Sequence, residues 1–180
     1  MKERILTSLL TVFVISGIQA QAPSPVPKLV VGLTIDQLRA DYIEAFSALY
    51  GERGFKRLLK EGRIYTNAEY DFINVDRSSA TASIYTGTTP YYNGIPSNRW
   101  MDRGSLRIIK SVDDQDFMGV YTSESSSAKL LRCSTLSDEL KVATQGRAEV
   151  YSIAPTREMA ILAAGHAANG AFWLNDETGK

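Results

Sequence analysis

LVVGLTID, residues 29–36, is the stretch on which the fold turns. Its aliphatic residues follow one another instead of alternating, as in a parallel strand covered on both faces, and the run ends in a carboxylate. Open α/β sheets present their ligands at the carboxyl ends of strands. Asp36 is therefore the first candidate site residue, with capping of the following helix as its other reading. From Leu38 the apolar positions Leu38, Tyr42, Phe46 and Leu49 recur at helical spacing up to Gly51, and a second helix is predicted over 54–61, closed by Gly62. Residues 63–70 alternate as a strand would. The small, serine- and alanine-rich residues 78–86 predict a helix with Asp76 or a neighbour at its N-cap. Gly87, Pro90, Asn93-Gly94 and Pro96 mark turns. Residues 104–127 read as a polar surface excursion with a short strand or two. A helix is predicted over 134–144, and strands over 149–154 and 171–174. The order predicts an α/β fold, a mixed, largely parallel sheet layered by helices.

The chain opens with MKERILTSLLTVFVISGIQA, in which Lys2 and Arg4 precede an apolar run and a small-residue exit at Ala20. This predicts a signal peptide over residues 1–20 and a periplasmic or otherwise exported protein. Thr7, Ser8, Thr11, Ser16 and Gly17 interrupt the run, which falls short of the ~20 apolar residues that span a bilayer. No transmembrane segment is expected after cleavage. QAPSPVPK, residues 21–28, reads as an extended linker, so the folded domain is predicted over 28–180. Lys plus Arg and Asp plus Glu balance at 20 each, which gives no net field for nucleic acid. The lone Cys133 can form no internal disulfide. The chain stops on the hydrophilic NDETGK directly after the strand-like AFWL, and the expectation is an incomplete domain with a missing C-terminal portion.

Three stretches, with LSDELKVAT (136–144) between the second and third, carry a specific resemblance: LVVGLTIDQLRADY (29–42), ASIYTGTTPYYNGIPSNRWMDR (82–103) and ILAAGHAANGAFW (161–173). Together they resemble the phosphate-irrepressible alkaline phosphatases and the nucleotide pyrophosphatase/phosphodiesterases of the alkaline phosphatase superfamily. The resemblance implies an alkaline-phosphatase-like fold and a hydrolase of phosphate esters that holds two zinc ions. One metal activates a Thr or Ser hydroxyl and the other stabilises the departing oxygen. It places a metal-binding carboxylate at Asp36. Asn98 matches an asparagine whose amide donates to a phosphoryl oxygen.

Elsewhere the sequence departs from the family pattern. The nucleophile position falls on Arg77, which cannot attack phosphorus. Ser78 is the nearest hydroxyl, but one residue of shift on a helix turns a side chain by about 100°. The family's phosphate-binding lysine and arginine positions fall on Thr156 and Glu158. Arg157 between them is a candidate substitute if its side chain reaches the same side. His166, the single histidine, matches no ligand position and is expected to satisfy backbone groups near the sheet, whereas each catalytic zinc takes about three protein ligands. Two readings follow. The chain is the N-terminal portion of an exported metal-dependent phosphomonoesterase or phosphodiesterase, or it is a degenerate, non-catalytic scaffold in which the Arg77 guanidinium pairs with Asp36 in place of a cation.

Overall fold

The structure, a computed structural model, describes residues 26–175 and Gly179. The predicted signal peptide, and the linker up to Pro25, lie outside the described residues. The chain divides between Thr34 and Ile35, inside the stretch read as the first strand. Of the first unit, residues 26–34 form no helix or strand, and Leu29, Val31 and Leu33 are exposed. The expected strand over 29–36 is thus not formed. An apolar run can be a buried strand only where neighbours cover both its faces, and here Leu29, Val31 and Leu33 stay exposed.

The second unit starts at Ile35 and is an α/β assembly. Helix α1 (Ala40–Ala45) and a 3-10 turn (Ser47–Leu49) occupy the first predicted helix. Helix α2 (Phe55–Glu61) stops at Gly62 as its sequence indicates. The strand expected over 63–70 is absent, and most of that stretch is exposed. Helix α3 (Arg77–Thr86) begins at Asp76 and ends at Gly87, whose φ of 67° is the left-handed cap that glycine adopts without a Cβ penalty. A short helix α4 (Pro90–Asn93) follows, with proline at its first position.

Four short strands come next: β1 (Arg99–Asp102), β2 (Arg107–Lys110), β3 (Asp113–Met118) and β4 (Ser125–Ser126). They form two antiparallel pairs, β1 with β2 and β3 with β4. The excursion over 104–127 is less superficial than its polarity suggests, because Ser111, Val112 and Asp114 are buried. Helix α5 (Leu136–Ala143) is capped by Thr135 in a capping box with Asp138. Strand β5 (Tyr151–Ala154), helix α6 (Arg157–Ala164) and strand β6 (Gly170–Trp173) form a parallel β-α-β unit, with Tyr151 opposite Gly170 and Ala154 opposite Trp173. Helix α6 was not anticipated.

The core lies where α3 packs on α6. Ala82, Ile95, Val112, Ala128, Leu131, Ile161 and Leu162 are buried together, with Trp100 and Trp173 against them. The buried face of α3 is Ser78, Ser79, Thr81 and Ala82, all small, which lets the two helices approach closely.

A polar clasp closes the other side of α6. The Asp138 carboxylate accepts from Thr135 N–H at 2.9 Å, His166 N–H at 2.8 Å and Ala167 N–H at 2.9 Å. The His166 ring lies 2.9 Å from Asp138 Oδ2 through Nδ1 and 3.0 Å from the Leu131 carbonyl through Nε2. Gly165, at φ 79°, leaves room for this network, and a Cβ there would run into Thr135 Oγ1 and the Asp138 carboxylate. Gly165→Ala therefore combines a disfavoured φ with a clash against two side chains held by hydrogen bonds. It is expected to cost about 2 kcal/mol or more, read as a lowered urea midpoint with an unchanged m-value.

Candidate phosphoryl-binding site

The start of α3 gathers most of the residues the sequence singles out. Asp76 is the organising group. Its Oδ1 accepts from Ser79 N–H at 2.9 Å and its backbone N–H donates to Ser79 Oγ at 2.9 Å, a capping box that satisfies two orphan donors of the helix. Its Oδ2 accepts from Asn98 N–H at 2.6 Å and Ser97 Oγ at 2.7 Å. One carboxylate thus caps the helix and ties down a loop 22 residues further along the chain. Burial pushes the Asp76 carboxyl up, but the Ser79, Ser97 and Asn98 donors outweigh it and hold it below the usual aspartate value.

Asn98 is fixed a second time, because Ser78 N–H donates to its Oδ1 at 2.9 Å. Only the oxygen of the amide can accept from an N–H, so this bond also sets the flip of the side chain. The Nδ2 donors are directed away from it and make no hydrogen bond among the described residues. Asn98 therefore keeps two N–H donors without a hydrogen bond among the described residues.

Arg77 and Asp36 meet at the same place. Arg77 Nε lies 3.9 Å from Asp36 Oδ2, and the side chains are 42% and 51% exposed. At that length the contact is an ion pair without a hydrogen bond, and it is not the bidentate fork the sequence suggested. Asp36 sits in a turn followed by Gln37 at φ 58°, an uncommon conformation for a residue with a Cβ. Tyr70, which sequence reasoning missed, is a neighbour: burial first, and then the Asp36 charge, push its phenol up.

Two other candidates lie elsewhere in the hydrogen-bonding pattern. Ser78 is fully buried and its Oγ is 2.8 Å from Ser111 Oγ. Its hydroxyl is sealed in the interior and pins α3 to the start of the β3 hairpin. Arg157 is nearly covered, with its side chain 9% exposed, and lies 2.8 Å from Asp113, 3.3 Å from Glu124 and 3.9 Å from Glu158. It donates to Ser126 Oγ as well, at 3.3 Å. Its charge is consumed by carboxylates, and it starts a helix instead of lying on extended backbone. Thr156 caps that helix without a side-chain bond, and its buried Oγ1 has no hydrogen-bond partner among the described residues.

The zinc expectation can be tested on the donor set. Asp36 is a suitable oxygen ligand, but among the described residues no three His, Cys, Asp or Glu side chains cluster to hold a metal ion. Among the described residues the charged side chain within ion-pair distance of Asp36 is a cation, Arg77. The described residues do not by themselves fit a two-zinc centre. Among the described residues no helix is long and apolar enough to cross a membrane.

Taken together, a β-α-β unit, a capped helix start and an asparagine amide poised over it define an alkaline-phosphatase-like α/β fold. The chain belongs to the type I phosphodiesterase / nucleotide pyrophosphatase family, whose model matches residues 30–179. It is 42% identical over 157 residues to the alkaline phosphatase PhoV of Synechococcus elongatus, covering 86% of this chain and 28% of the relative. It is 37% identical over 179 residues to the alkaline phosphatase PafA of Elizabethkingia meningoseptica, covering 96% and 33%. The crystal structure of wild-type PafA superposes with a TM-score of 0.82 at 36% identity, over 87% of this chain and 31% of that one. The chain therefore spans about a third of the length of these relatives.

The Asp76 network gives a pH-dependent prediction. The folded carboxyl titrates below its unfolded value, so the stability it confers is complete above the ordinary range near pH ~4 and is lost as the pH falls through the lowered folded value. Asp76→Ala should cost about 1 kcal/mol at neutral pH through the lost cap. It should also flatten the acid limb of a plot of urea midpoint against pH, relative to wild type.

Proposed function

We propose that this chain serves an exported phosphoester hydrolase, acting on phosphate monoesters or diesters in the periplasm or its equivalent, and that its own part is the phosphoryl-binding end of the site. The supporting observation is the Asn98 amide, whose oxygen is taken by Ser78 N–H at the start of α3 and whose two N–H donors make no hydrogen bond among the described residues. In this reading Asn98 contacts substrate oxygen and Asp76 positions it. Asp36 is the carboxylate offered to zinc. Ser78, buried against Ser111, is read as a structural hydroxyl, and Arg157, enclosed by three carboxylates, as a strut between α6 and the β3–β4 hairpin.

One observation favours a second reading. Arg77 stands where the family carries its nucleophile and faces Asp36 at 3.9 Å, as in a scaffold that has kept the fold and lost hydrolysis. Hydrolysis of an aryl phosphate and its diester by the full chain, with and without zinc, separates the two. The hydrolase reading expects zinc-dependent turnover, a rise in Tm on adding zinc, and at least a tenfold drop in kcat/KM in Asn98→Ala. No turnover and an unmoved Tm would leave the scaffold.

A further inference from the structure

The sequence holds two asparagine-glycine dipeptides, Asn93-Gly94 and Asn169-Gly170. Glycine after asparagine leaves its backbone nitrogen open to the neighbouring side-chain amide, since no Cβ shields it or restricts the backbone. We infer that Asn169 is a site of spontaneous deamidation in the folded protein, promoted by Lys141, and that the fold shuts Asn93 to the same reaction.

The reaction needs only water. The Gly170 nitrogen gives its proton to solvent base and bonds to Asn169 Cγ, and the amide oxygen takes the negative charge of the tetrahedral intermediate. The Cγ–Nδ2 bond then breaks, and Nδ2 leaves as ammonia with a proton from water, which regenerates the base. Water opens the resulting five-membered imide at either of its carbonyls and gives aspartate or isoaspartate.

Three observations separate the two dipeptides. The first is the leaving group. Asn169 is exposed, and its Nδ2 makes no hydrogen bond among the described residues. Asn93 is fully buried, and its Nδ2 donates to the Thr88 carbonyl at 3.1 Å and to Ser83 Oγ at 3.4 Å. The second is the attacking nitrogen. Gly170 N–H reaches the Val150 carbonyl only at 3.4 Å, and that oxygen already accepts from Asn169 N–H at 2.8 Å, whereas Gly94 N–H donates to the Pro90 carbonyl at 2.9 Å. The third is the oxygen that gains charge. Asn169 Oδ1 accepts from Lys141 Nζ at 2.8 Å and from Val150 N–H at 2.9 Å. Two donors, one of them a cation, aimed at a developing oxyanion stabilise the intermediate. Asn93 Oδ1 receives a neutral donor, Ile95 N–H, at 2.9 Å.

The glycine itself is held in place by packing. A Cβ at position 170 would lie 3.2 Å from the Phe172 ring and 3.4 Å from the Tyr151 ring. The two products differ in effect. Aspartate keeps an oxygen for Lys141 and Val150 N–H. Isoaspartate lengthens the backbone directly ahead of β6, where Gly170 pairs with Tyr151, and loosens the β5–β6 ladder.

Peptide mapping by mass spectrometry of the full chain, aged at mildly alkaline pH with and without urea, tests this. In the folded chain Asn169 should deamidate at least about tenfold faster than Asn93, which reacts only through opening of its surroundings. In urea the two should react at similar rates. Lys141→Met should slow the reaction at Asn169 several-fold in the folded chain and leave its rate in urea unchanged. Lys141→Arg, which keeps a cation, should slow it less; far-UV circular dichroism confirms that each variant is folded. The comparison of the two asparagines needs no variant. Folded wild type in which Asn169 reacts no faster than Asn93 would overturn the inference. A folded Lys141→Met chain that deamidates at the wild-type rate would overturn the part assigned to Lys141.

Discussion

The carboxylate of Asp76 is the constraint on which the functional end of this molecule depends. It sits at the junction of two requirements that are usually met by different residues. The first turn of α3 has backbone N–H groups without intrahelical partners, and one of them is satisfied by Oδ1. The loop carrying Ser97 and Asn98 needs an anchor, and Oδ2 provides it. Because both oxygens are engaged, the helix start and the loop cannot move independently. The return bond from Ser78 N–H to Asn98 closes the ring, so that an amide side chain 20 residues away is oriented by the helix it overlooks.

Around this ring, charges are kept apart by where the fold buries them. Arg157 is nearly covered, and a buried guanidinium survives only with carboxylate partners. Asp113 and Glu124 come from the β3–β4 hairpin and Glu158 from its own helix. Arg77, by contrast, is half exposed and loosely paired. Two arginines that look interchangeable as phosphate binders therefore have opposite roles. One holds the hairpin to α6, and the other keeps its donors free.

Local features were the legible part of the sequence. The Asp76 cap, the Gly62 and Gly87 stops, the Thr135 to Thr144 helix and the two parallel strands were readable because each depends on residues close in sequence. The motif spacing likewise carried the family. What the sequence hid were properties set by distant partners. LVVGLTID has the composition of a central strand, but composition cannot provide the neighbours that would pair with it. The serine-rich excursion hid Ser111 and Val112 in the core because polarity averaged over a segment says little about single positions. Helix α6 was missed because TREM carries no strong helix-starting signal, and Thr156 makes no side-chain cap. Ser78 could be named as a hydroxyl at the right place, but its burial against Ser111, 33 residues away, could not.

The tolerance of position 77 follows from the same geometry. The first residue of a helix has a backbone N–H that needs no intrahelical acceptor, and its side chain here is half exposed. Every bond that fixes the helix start is made by Asp76, Ser78, Ser79 and Asn98, or by the Arg77 carbonyl receiving Thr81 Oγ1 at 2.7 Å. None uses the side chain at 77. The architecture of the helix start is thus built without reference to the side chain at position 77. A hydroxyl can be exchanged for a guanidinium at that position while the surrounding hydrogen bonds stay in place. The hydrogen bonds that shape this helix start are thus separable from the side chain at position 77.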